Sequence, residues 1–145
     1  MRVAVLNGPN LNLLGEREPS IYGTTTLAAL EAELRDAARG LGVELAWRQT
    51  NHEGEMVEAV QALREAADGA VVNPAAWTHT SVALRDAFLA VRVPFVEVHL
   101  SNFHAREPFR RQSLLADLAV GVVAGLGPAG YRYALEGLVA HLRAR

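Results

Sequence analysis

The sequence contains no cysteine, which excludes disulfides, a thiolate nucleophile and cysteine-held metal clusters. It contains no lysine either: all 14 Lys-or-Arg residues are arginine. A Schiff base needs an amine side chain, so covalent catalysis of that kind is excluded, and a Walker-type phosphate loop would lack its lysine. The arginine bias fits the codon usage of a GC-rich genome, and the chemical exclusions hold whatever its cause. No apolar run is long enough to cross a bilayer. The net charge of -2 includes no long run of one sign, which argues against the basic face that a nucleic-acid partner favours. The N-terminus has one basic residue and then a short strand-like run, not the longer apolar stretch and small-residue cleavage site of a signal peptide. These absences predict a cytoplasmic protein with no nucleic-acid or membrane partner.

What is present suits a soluble globular chain. The 145 residues suggest one domain, 1–145, with one core. Half are apolar and 21% charged, as in ordinary globular proteins. Short β-branched runs fall at Val3–Leu6, Val43–Arg48, Ala70–Val72, Phe95–Val98 and Leu118–Ala124. Helix-period stretches lie between or after them. Leu27, Leu30, Leu34, Ala38 and Leu41 share one face, as do Met56, Val60, Leu63 and Ala67. A third stretch covers about Ser81–Val91, a fourth about Arg106–Leu115, and the last puts Tyr131, Leu135, Leu138 and Leu142 on one stripe behind Pro128. Strand and helix alternating five times predict an α/β fold: a flavodoxin-like three-layer sandwich around a five-stranded parallel sheet. A barrel of eight such units needs about 250 residues. One connection, Gly8 to Thr24, is too long for a plain turn, and loops of that length are usually functional or disordered.

Ligands of an open parallel sheet bind beyond the carboxyl ends of its strands. Here those ends read Asn7-Gly8-Pro9-Asn10, Gln49-Thr50-Asn51-His52, Asn73-Pro74 before Thr78-His79-Thr80-Ser81, and Glu97-Val98-His99-Leu100-Ser101. Amides, imidazoles and hydroxyls from four segments thus meet on one edge and predict a pocket there. With arginines nearby, that lining suits a polyhydroxylated anion.

Each group also has a plainer reading. Tyr22 lies five residues after Arg17 in the long loop. A tyrosine of pKa ~10 is about one part in a thousand phenolate at neutral pH. A neighbouring arginine favours the charged form, which would make a phenolate base accessible; otherwise Tyr22 packs the loop down. Alternation puts Glu97, His99 and Ser101 on one face, so Glu97 either orients His99 as a general acid or caps a structural histidine. Ser81 and its neighbours read first as a helix N-cap. Arg106, Arg110 and Arg111 are either a solvated patch or include Arg110 closing over a carboxylate. No HExxH pattern accompanies the five histidines, so no metal is expected. Gly125-Leu126-Gly127-Pro128-Ala129-Gly130 matches a dinucleotide pattern, but the chain ends before the strand and acidic residue that this pattern requires. A tight turn into the last helix explains those glycines better. A phosphoacceptor domain of the same fold needs an acidic residue where Asn73 stands, and a lysine that is absent.

Taken together and in order, these segments resemble the type II 3-dehydroquinases. The likeness is carried by Asn7-Gly8-Pro9-Asn10-Leu11-Asn12-Leu13-Leu14-Gly15, Arg17-Glu18-Pro19 and Tyr22-Gly23. It continues through Gln49-Thr50-Asn51-His52-Glu53-Gly54, Asn73-Pro74, Thr78 to Ala87, Glu97 to Asn102, His104 to Glu107, Phe109-Arg110 and Gly125-Leu126-Gly127. The resemblance implies dehydration of 3-dehydroquinate to 3-dehydroshikimate, an anti elimination through an enolate in the shikimate pathway, with no cofactor. It implies Tyr22 as base, Arg17 lowering its pKa, Asn12 helping hold a water at the enolate, and His99 as acid oriented by Glu97. Asn73, His79, Leu100, Ser101 and Arg110 would bind substrate, and Asp86 would reach the site of a neighbouring subunit. It also implies a dodecamer of four trimers. At Pro74-Ala75-Ala76-Trp77 the chain departs from the family, where glycine is common at Ala75 or Ala76.

Overall fold

The computed structural model describes every residue from Met1 to Arg145, apart from the side chain of Tyr22. Strands β1 (Arg2–Asn7), β2 (Glu44–Gln49), β3 (Gly69–Asn73), β4 (Phe95–His99) and β5 (Gly121–Ala124) form one sheet in the order β2-β1-β3-β4-β5, every pair parallel. Helices are α1 (Pro19–Tyr22), α2 (Leu27–Gly40), α3 (Glu53–Ala66), α4 (Val82–Val91) and α5 (Ala129–Arg143). The central strand β3, Gly-Ala-Val-Val-Asn, is buried throughout. Parallel strands covered on both faces read as such continuous apolar runs.

Alternation divides those strands between two cores. Val3, Val5, Val71, Val96 and Val98 pack with Leu30, Leu34, Leu135 and Leu138 of α2 and α5. Ala4, Leu6, Ala70, Val72 and Phe95 pack with Met56, Val60, Leu84 and Phe88 of α3 and α4. The result is the expected three-layer sandwich. Helix starts are capped by side chains where the sequence offers them: Thr26 accepts from the Ala29 N–H, and Ser81 from the Leu84 N–H at 2.9 Å.

The helix expected over Arg106–Leu115 is absent. Two 3-10 turns, Phe103–Ala105 and Pro108–Arg110, are followed by irregular chain, and β5 begins at Gly121 rather than Leu118. Pro108 lacks a donor and steers Glu107 away from helical angles. The next backbone donors are already taken. Ser113 Oγ accepts from the N–H groups of Leu115 and Ala116, both at 3.0 Å, and the Leu114 N–H donates to Thr78 O at 2.7 Å. With no helix over that corner, Val122 stays exposed on the face that Glu97 shares.

The glycine-rich turn before α5 serves packing. Gly125 (φ 85°) lies where an added Cβ would meet Asn102 Cβ at 3.0 Å, and Gly130 seats α5 against Val123 and Val98.

Candidate active site

The order of strands reverses between β1 and β3, and the polar edge lies there. Register sets Asn7 level with Gln49 on one side and with Asn73 on the other. Gly8 is a required glycine, since a Cβ would stand 2.5 Å from the Pro74 carbonyl oxygen. Its N–H donates to Asn73 O at 2.8 Å, so the loops after β1 and β3 leave the sheet in contact.

Beyond them lies a cavity of about 130 Å³. Its polar wall comprises Asn10, Arg17, Asn73, His79, His99, Ser101, Arg106 and Arg110, and its apolar wall includes Leu11, Leu14, Leu100 and Phe103. Three guanidinium groups in one small cavity suit a compact anion. Arg106 and Arg110 both reach it, although the helix expected to align them does not form.

Glu97 and His99 are adjacent on one face of β4, and both are buried. His99 Nε2 lies 2.6 Å from Glu97 Oε1. The carboxylate has two further donors. Thr78 Oγ1 bonds to Oε1, and Ser113 Oγ lies 2.9 Å and 2.8 Å from the two oxygens. Burial pushes the Glu97 carboxyl up, but the bonds from His99, Thr78 and Ser113 outweigh it and hold the group below the ordinary carboxylate value. The edge of Phe103 meets the His99 ring, with centroids 4.8 Å apart.

His79 Nδ1 lies 2.7 Å from Gln112 O and donates to it in that tautomer, leaving Nε2 free. Desolvation lowers its pKa, with His99 and Arg110 adding to that, so the ring is neutral near pH 7. Asn73 is held by a buried relay. Its Nδ2 donates to Tyr131 Oη at 2.8 Å, Tyr131 Oη donates to Asn7 Oδ1 at 2.7 Å, and Asn7 Nδ2 donates to Arg48 O at 3.1 Å. Asn73 Oδ1 takes the Ala75 N–H at 3.1 Å. The Asn73 amide is thereby fixed from two sides.

Of the other expected residues, Arg17 lines the cavity and pairs with Glu18 at 3.2 Å, while Leu100 and Ser101 form part of the wall. The Tyr22 side chain lies outside the described residues. Asn12 is exposed on the 3-10 turn Leu11–Leu13 and takes no part in the cavity wall; Asn10 does. Asn10 adopts a left-handed conformation (φ 67°), and its N–H is held by Asn51 Oδ1 at 2.9 Å. Asp86 is exposed on α4 and does not join the cavity. His52, His104 and His141 also lie outside it. Among the described residues no three potential ligands cluster around a metal position.

Sequence reasoning placed Asn7, Asn10 and Thr78 on the pocket edge without giving them a role, and it missed Ser113 and the link between Asn7 and Tyr131. One signal was available for Tyr131: a tyrosine on an otherwise apolar stripe needs a partner for its hydroxyl.

Residues 1–139 match the family Dehydroquinase class II. The 3-dehydroquinate dehydratase of Gemmatimonas aurantiaca is 56% identical over 139 residues, which cover 96% of this chain and 91% of that one. The catabolic 3-dehydroquinase 1 of Neosartorya fischeri is 52% identical over 99% of this chain and 95% of its own. The crystal structure of type II dehydroquinase from Propionibacterium acnes superposes with a TM-score of 0.91 at 44% identity, covering 96% of each chain. A parallel sheet with its cavity at the β1/β3 reversal, and an identity above half along nearly the whole length, lead to one assignment: the chain belongs to the class II dehydroquinase family.

Proposed function

We propose that this chain converts 3-dehydroquinate to 3-dehydroshikimate and water in the shikimate pathway. The observation that carries the reading is a buried Glu97–His99 pair beside a small cavity with three arginines. Tyr22 serves as base for the proton beside the ketone, and Arg17 in the cavity wall stabilises its phenolate. The electrons left on carbon form an enolate. The arginines bind the carboxylate, and Asn73, His79 and Ser101 bind the hydroxyls. Collapse of the enolate expels a hydroxyl, which takes a proton from His99 and leaves as water. Because Glu97 takes the Nε2 position, the proton is given up from Nδ1 of the imidazolium, whose charge the Glu97 carboxylate stabilises, and His99 is left neutral. Asn12, exposed on the turn beside the cavity, helps hold a water at the enolate, and Asn10 in the cavity wall adds a second amide.

The assembly we propose is a dodecamer of four trimers. Asp86 stands exposed on α4, free to reach a neighbour's site. A cytoplasmic location agrees with the sequence reading, and no helix among the described residues is long and apolar enough to cross a membrane.

The first test is turnover of 3-dehydroquinate, followed by ultraviolet absorbance of the conjugated product, with chelator and with borohydride in parallel. Activity that survives both supports a dehydratase without metal or Schiff base. A folded but inactive protein points to a binding module or another hydroxy-acid. His99→Ala should lower kcat by about 10²–10⁴-fold and KM far less; an unchanged rate removes His99 from the acid role.

A further inference from the structure

The crossing from β4 to β5 lies across the back of the site. Gln112 O meets His79 at 2.7 Å, Ser113 meets Glu97, and the Leu114 N–H meets Thr78 O. Arg85 of α4 ties the same segment down through Leu114 O at 2.8 Å and a two-pronged pair with Asp117. Within this segment the Ser113 hydroxyl has little freedom. A serine hydroxyl offers one hydrogen and two lone pairs. Two backbone N–H groups, of Leu115 and Ala116, already point at Oγ. The single hydrogen is therefore left to donate: both Glu97 oxygens are within 2.9 Å, and Thr78 Oγ1, itself bonded to Glu97, lies at 2.8 Å, so the hydroxyl serves the carboxylate directly or through Thr78.

We propose that Ser113 is a positioning residue for the elimination: a hydroxyl locked as a donor, which holds the Glu97 carboxylate in the orientation that sets His99. The inference rests on the dehydratase reading above. It accounts for a feature that reading leaves unexplained, namely why a helix-free crossing is clamped so firmly beneath the site. The direction of the Glu97 pKa agrees with it, since Ser113 is one of the donors that hold the carboxyl low. Among the described residues, the other charged or titratable groups of the cavity wall are His79, Arg17, Arg106 and Arg110, and Ser113→Ala leaves all of them in place.

The experiment compares wild type, Ser113→Ala, Ser113→Cys and Ser113→Thr. Two readouts are used: the pH profile of kcat, and the ¹³C titration of the Glu97 carboxyl, assigned by its loss in Glu97→Gln. Losing a hydrogen bond to a charged group is worth about tenfold or more, so Ser113→Ala should lower kcat by roughly that factor with KM nearly unchanged. The Glu97 titration and the acid limb of the profile should both move to higher pH. Ser113→Thr keeps the hydroxyl and should restore both. Ser113→Cys keeps the shape with a weak donor and should move both in the same direction by less, which decides the matter if Ser113→Ala fails to fold. A Glu97 titration that stays in place in Ser113→Ala, or in Ser113→Cys where that is the folded variant, overturns the proposal. An inactive wild type would sink the dehydratase reading, and the carboxyl titration would still decide the role of Ser113.

Discussion

At the scale of single residues, the site depends on buried polar groups whose partners are complete. Tyr131 is fully buried, and desolvation pushes its phenol well above the ordinary tyrosine value, with the Asn73 bond opposing that. It acts as a neutral hydrogen-bonding link, not an acid. Tyr131→Phe removes the link and leaves two buried amides each short of a partner. We expect about 1–3 kcal/mol lower stability in urea and a raised KM, because Asn73 loses its anchor. A variant with wild-type KM would show that Asn73 is held by other means. Glu97 makes a pH-dependent contribution of known sign. Its folded pKa is depressed below 4.5, so it stabilises the fold at pH values above the ordinary carboxylate range. That contribution is lost as pH falls through the depressed value. Unfolding of wild type against Glu97→Gln should show a gap at pH 6 that narrows toward pH 3.

At the scale of elements, the loop after β3 combines strain with function. Ala75 has φ 50°, a left-handed conformation that suits glycine, and its N–H closes a turn onto Asn73 Oδ1. The departure from family glycine noted in the sequence therefore falls on the residue where glycine would fit. Ala75→Gly should leave stability unchanged or raise it by up to about 1 kcal/mol. Ala76→Gly, one residue on and without the positive φ, should lower it by about 0.5–1 kcal/mol. Thermal melts of the two variants would distinguish them, and equal losses would refute the assignment of strain to Ala75. The crossing from β4 to β5 follows the same logic. There the backbone N–H groups serve Ser113 and Thr78 instead of a helix, so the loss of regular structure is what delivers side chains to Glu97.

At the scale of the whole molecule, the sheet order decides where chemistry can occur. Reversal between β1 and β3 leaves a crevice at their carboxyl ends, and the loops after β1, β3 and β4 all open onto it. The outer surface of α4 carries exposed Val82 and Leu89 beside Asp86, which fits the proposed association of subunits there. Asp86→Ala should therefore weaken substrate binding or lower the oligomeric mass in light scattering. A variant normal in both would count against the contact between subunits.

The sequence by itself determined the fold class and the exclusions. Strand and helix periods are local properties, and the five strands and four of the five expected helices are read from them within a few residues of their ends. The absence of lysine and cysteine removes whole mechanisms without any structure. It also brought Glu97 and His99 together, because two residues apart on a strand share a face. Tertiary structure decided what local pattern cannot encode. Ser113 meets Glu97 across 16 positions and Tyr131 meets Asn7 across 124, separations that leave no periodic trace. Asn10 lines the cavity while Asn12 is exposed, a difference between two asparagines of one loop that no local pattern announces. The missing helix has both local and tertiary causes: Pro108 and the turn onto Ser113 Oγ break the helical pattern nearby, and the Leu114 N–H is taken by Thr78 O from another element.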